Sequence, residues 1–164
     1  MKKVIGVSAV IAFITLLLGC TSTPTTEERV RDADTLERAA RIAVDATRQA
    51  NLLIVTINNI DVLELDDNSI LTINLRYNDP VTLAGAGHDM ESRTLRIMRY
   101  LQERDGIGWV SINWYAPTIE DFDDVAMSFR FVQRNNFRET QVWELRDRAA
   151  NYTLHPDMRA ALDR

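Results

Sequence analysis

The sequence predicts an α+β fold: a single domain in which an antiparallel sheet of about five strands carries two main helices on one face. Three observations predict it. Helix-period runs at 27–50 and 90–104 stand apart from strand-period runs at 52–65, 70–77, 109–115 and 125–133. Clusters of turn-forming residues bound the strand runs. Each amphipathic element must also bury one side, and helices layered on a sheet do so most economically. The expected order is α, β, β, α, β, β, β and a short terminal α, with no internal repeat and no second domain.

Thr25 and Glu28 form a capping-box pattern at the head of the first helix. Asp34/Arg38 and Glu37/Arg41 follow as i,i+4 pairs. Val30, Ala33, Leu36, Ala40, Ala43, Val44, Thr47 and Ala50 make an alanine-rich stripe suited to close approach. From Leu52 the period changes to that of strands, and Asp66-Asp67-Asn68-Ser69 divides the run into a hairpin. Leu71, Ile73, Leu75 and Tyr77 share its core face.

Asn78-Asp79-Pro80 and Gly85-Ala86-Gly87 read as a loop leading to the second helix, which buries Met90, Leu95, Met98 and Leu101 and ends towards Gly106. Strands follow over 109–115 and 125–133. The alternating stretch ETQVWELR, 139–146, predicts a further strand, with a helix over 138–150 as its competitor. Pro156 opens a short terminal helix. The αββαββ portion of this order is similar to the small BON domains of bacterial envelopes, without that family's glycine pattern.

Upstream of the domain, Lys2 and Lys3 precede an apolar run from Val4 to Leu18. It is shorter than the ~20 residues that cross a bilayer, and polar residues rather than a basic stop-transfer flank follow it. This is the pattern of an export signal. Leu17-Leu18-Gly19-Cys20 resembles the lipobox of bacterial lipoproteins. The resemblance implies that 1–19 is a cleaved signal peptide and that Cys20 carries fatty chains such as palmitate. It also implies that 20–26 is a polar tether and 27–164 the periplasmic domain. Thr21, in place of the Asp that favours inner-membrane retention in that family, implies the periplasmic face of the outer membrane. The inner membrane and the cell surface are the alternatives. Two or more acyl chains make such attachment effectively permanent, since each buried methylene contributes about 0.8 kcal/mol.

Lys2 and Lys3 are the only lysines, so the chain from Cys20 onward sets 17 arginines against 24 carboxylates, a formal charge of −7. That balance argues against nucleic acid as a partner, which requires a basic footprint. With the single cysteine consumed by lipid, thiolate catalysis, disulfides and cysteine metal sites are excluded.

The remaining candidates are weaker. LAGAGHDM holds Gly-x-Gly, but Met90 stands where the dinucleotide fingerprint needs a third glycine, and Asp89 and Glu91 would repel phosphate. His88 and His155 have no metal-ligand spacing. Glu120, Asp121, Asp123 and Asp124 offer oxygens for calcium but lack the EF-hand pattern. Arg93, Arg96 and Arg99 step along the second helix opposite its apolar side, a surface for an acidic partner or lipid headgroups. Trp109, Asn113 and Tyr115 alternate with Val110, Ile112 and Trp114, so burying the second set leaves an aromatic and amide strip for sugars or a partner. No cofactor motif and no assembled catalytic set is legible. The sequence therefore favours a lipid-anchored binding or assembly module, such as an accessory subunit of an outer-membrane complex, over an enzyme. The alternative is a cell-wall glycan-binding or hydrolytic domain.

Overall fold

The computed structural model describes residues 23–48, 54–78, 82–116, 124–132 and 137–163. The leader, Cys20, Ala50, Glu120, Asp121 and Asp123 lie outside them. Thr25 starts α1 (Thr26–Arg31) through the expected box: the Glu28 N–H donates to Thr25 Oγ1 at 3.2 Å, and the Thr25 N–H donates to the Glu28 carboxylate at 2.8 Å. The run expected as one helix over 27–50 is two. It breaks after Arg31, and Thr35 caps α2 (Leu36–Asp45), accepting from the Arg38 N–H at 3.1 Å. Asp and Thr side chains compete with the helical ladder and favour such caps, and this outweighed the unbroken periodicity. Val30, Ala33, Ala40, Ala43, Val44 and Thr47 are buried as the stripe predicts. Asp34/Arg38 and Glu37/Arg41 pair at 3.4 and 3.1 Å on the exposed side.

β1 (Val55–Glu64) and β2 (Ser69–Tyr77) form the antiparallel hairpin, whose turn is closed by the Leu65 N–H on Asn68 O at 2.9 Å. A bulge between Ile57 and Asn59 shifts the register. Ile57 and Ile60, three apart, can therefore both face the core although strand alternation would separate them.

α3 (Leu83–Leu101) begins seven residues earlier than the expected 90, with Thr82 Oγ1 accepting from the Gly85 N–H at 3.3 Å. Gly85-Ala86-Gly87 is thus helix rather than loop, and Asp89 and Glu91 sit inside the helix rather than at its start. A Cβ on Gly87 would lie 3.0 Å from both Met158 Sδ and Leu162 Cδ2, so the missing side chain lets the terminal helix approach.

α3 returns the chain so that β3 (Ile107–Tyr115) runs parallel to β2. β4 (Met127–Val132) and β5 (Asn151–Leu154) then add antiparallel. The sheet is five-stranded in the order β1-β2-β3-β4-β5, and mixed rather than wholly antiparallel. A helical crossover between neighbouring strands is what a parallel pair requires.

The strand expected over 139–146 is absent. Val142–Glu144 is a 3-10 turn running into α4 (Leu145–Arg148), and the fifth strand is β5 instead. α5 (Pro156–Leu162) is the expected terminal helix. Leu71, Ile73 and Leu75, Val110, Ile112 and Trp114, and Phe129 and Phe131 are buried on one face of the sheet. They share a core with Ala40 and Val44 of α2 and Met90, Ile97 and Met98 of α3. The Trp114 indole N–H donates to Thr94 Oγ1 at 2.8 Å, joining sheet to α3. Phe137 packs edge-on against Phe131 with centroids 5.3 Å apart. Among the described residues no helix is long and apolar enough to cross a membrane.

Candidate binding face

With the apolar residues of β2, β3 and β4 turned into the core, strand alternation puts the intervening residues on the opposite face. Register organises them into transverse rows. One row runs Asn59, Asn74, Asn113, Ser128, Thr153, and the next runs Asp61, Thr72, Ser111, Arg130, Asn151. A third, nearest the β1–β2 turn, is apolar: Leu63, Ile70, Trp109, Val132.

The polar rows are tied together by side chains. Asn113 Nδ2 donates to Asn74 Oδ1 at 2.9 Å, and Ser128 Oγ donates to Asn113 Oδ1 at 2.7 Å. Arg130 Nε donates to Ser111 Oγ at 3.3 Å. These bonds hold the side chains in one arrangement, and lost freedom that precedes binding is not lost again on binding. Thr72, Ser111, Asn113, Ser128, Asn151 and Thr153 of these rows line a shallow groove of about 180 Å³ together with Arg130, the only ionisable side chain among the described residues that line it. Beyond Trp109 a wider hollow of about 530 Å³ opens between the β1–β2 turn and the loop after α3. Hydroxyls, amides and one guanidinium bind through hydrogen bonds; none of them, as paired here, activates a nucleophile.

Of the strip predicted on β3, Trp109 is 38% exposed, Asn113 and Tyr115 are half-buried, and Val110, Ile112 and Trp114 are buried opposite. The arginines of α3 are placed differently from expectation. Arg93 is 2% exposed, paired with Asp89 at 2.6 Å and donating to Thr47 O at 2.5 Å, where it joins α3 to the end of α2. Arg99 donates to Phe137 O at 3.0 Å and Thr140 O at 2.7 Å. Arg96 is half-buried, its Nε enclosed. Other parts of the chain cover Arg93 and Arg99, whose guanidinium groups donate to backbone carbonyls there.

A cluster missed in the sequence joins α3 to the C-terminal segment. Glu91, 4% exposed, pairs with Arg146 of α4 at 2.5 Å. The Arg146 guanidinium lies 5.4 Å from the ring centroid of Tyr152. The carboxylate beside Arg146 raises that guanidinium's pKa, and burial pushes the Tyr152 hydroxyl up. The signal for it was Glu91's place on the apolar stripe, four residues before Leu95 and seven before Met98. This arrangement fastens secondary structure rather than forming an open site.

His88 is exposed near Glu91 at 3.7 Å, whereas His155 caps α5, its Nδ1 accepting from the Asp157 N–H at 3.3 Å. Asp124 approaches His155 at 3.9 Å. Among the described residues no group of three or more metal-ligating side chains comes together; the rest of the calcium candidate, Glu120, Asp121 and Asp123, falls outside them. No known protein family, curated protein or solved structure matches this chain.

Proposed function

We propose that this protein is an envelope lipoprotein: a binding or assembly module tethered through fatty chains on Cys20 at the periplasmic face of the outer membrane, serving as an accessory subunit of a complex there. The observation that carries the reading is the junction of lipobox and domain. Leu17-Leu18-Gly19-Cys20 precedes the helix cap at Thr25 by only five residues, a reach of at most about 18 Å. Val30 of α1 is fully buried, so the domain begins almost at the anchor. An exposed row of apolar and aromatic side chains beside an ordered polar groove supports binding as the task. Fractionation of cells with crosslinking tests this: wild type should stay with outer membranes and crosslink to one envelope protein, and Cys20→Ala, neither lipidated nor cut at residue 20, should leave the outer-membrane fraction and lose the crosslink. A Cys20→Ala chain that still fractionates with outer membranes would contradict the reading.

A second reading, cell-wall glycan binding, is favoured by one observation: the hydroxyl- and amide-lined groove lies beside Trp109, the pairing of polar groups and an apolar ring that sugars use. Retention on isolated sacculi, lost on replacing Asn113, would favour it over the first.

A further inference from the structure

The geometry points to the turn end of the open sheet face as a docking surface for a protein segment that is both apolar and cationic. This inference rests on the reading of the chain as a binding module and names the chemistry of its partner. Leu63, Ile70, Trp109 and Val132 stand side by side across four strands. Leu63 is 58% exposed, Trp109 38%, and Leu65, just past the strand, 53%. A contiguous apolar row of this kind marks an interaction site more often than scattered apolar residues do.

Charge identifies the occupant. Asp61 precedes Leu63 on β1, and Glu64, Asp66 and Asp67 follow it into the turn, all exposed. Asp105 joins them, because the Ser69 N–H donates to Gly106 O at 2.9 Å and brings the loop after α3 against the hairpin turn. Among the described residues Glu64, Asp66, Asp67 and Asp105 have no ion-pair partner, although seven arginine–carboxylate pairs form between other described residues. Arg104, which also lines the hollow, donates to Arg31 O at 3.1 Å. An apolar row flanked by exposed carboxylates with no ion-pair partner among the described residues attracts apolar side chains flanked by arginine or lysine. The same charges repel a second copy of this surface and an anionic bilayer.

The test uses the full chain in nanodiscs of zwitterionic lipid, with Trp143→Phe so that Trp109 is the reporting exposed indole. The probe is a strand-length peptide alternating leucine with arginine; its leucine–glutamate counterpart is the control. The arginine peptide should bind saturably, shift Trp109 emission to the blue and weaken with salt. Asp66→Asn with Asp67→Asn, and separately Leu63→Ser, should each weaken it about tenfold or more. Glu139→Gln with Asp147→Asn, the same charge change elsewhere, should leave it unaltered. The inference is overturned if that control pair weakens binding equally, if the glutamate peptide binds as well, or if empty nanodiscs account for the signal. It is also overturned if a Cys20→Ala chain floats with anionic vesicles through Leu63, since the occupant is then lipid. Intact mass of the wild-type chain, read beside the titration, separates the two claims. Peptide binding by a wild-type chain that proves unlipidated sinks the anchor alone, and no binding by a lipidated one sinks the docking surface alone.

Discussion

Tyr152 concentrates what single side chains contribute and what they cost. Its ring packs on Phe129, centroids 4.9 Å apart, but its enclosed hydroxyl has no hydrogen-bond partner among the described residues. A buried unsatisfied hydroxyl costs about 1–3 kcal/mol. Tyr152→Phe should therefore leave thermal stability unchanged or raise it, read by calorimetry. Burial, with Glu91 adding to it and Arg146 opposing, holds the hydroxyl's pKa above the usual value near 10. Because the folded value is the raised one, this stability is complete below the unfolded pKa and lost as pH climbs through the folded one. Wild type should lose stability above about pH 10 more steeply than Tyr152→Phe. Gly106 shows the residue scale from the other side: φ of +84° suits glycine in the turn that leads into β3. It does not end α3 as the sequence suggests, since that helix stops at Leu101 with Gln102 as its cap; nor was the pairing of Glu91 with Arg146, 55 positions apart, readable.

Elements were legible where period and burial agreed. β2 is the plainest case, with Leu71, Ile73, Leu75 and Tyr77 buried in alternation. They were misread where a local signal had a tertiary answer. Gly85 and Gly87 are loop formers by composition, yet α3 runs through them because Met158 and Leu162 need the space above Gly87. The alternation in ETQVWELR never became a strand: Trp143 is 77% exposed and Leu145 buried, which suits a turn followed by a helix. The strand that does form there, β5, is four residues long and carries little pattern. The seam between α3 and the sheet gives the element-scale prediction. Thr94→Val keeps the shape but leaves the Trp114 indole N–H buried and unpaired. Denaturant unfolding should show a loss of about 1–3 kcal/mol, while Thr153→Val, exposed on β5, should be nearly neutral.

For the whole molecule, composition and period were enough for a mixed α/β fold and for four of the five strands of its sheet, but not for β5. They were not enough for the sheet's mixed character, since the direction of β3 depends on where α3 delivers the chain. The division into a buried apolar face and an open polar one was legible on β2 and β3, and register then revealed the rows that extend it across neighbouring strands. The arginine stripe was not legible, because its covering carbonyls come from Thr47, Phe137 and Thr140, far along the chain. The acidic balance of the domain agrees with the docking chemistry proposed for it, and the short tether of the proposed lipoprotein would hold the domain near a bilayer. Intact-mass measurement of the mature chain tests the central claim most directly. The account predicts a chain that begins at Cys20 and carries the added mass of its fatty chains; an unmodified thiol, or a mature chain beginning at any other residue, would contradict it.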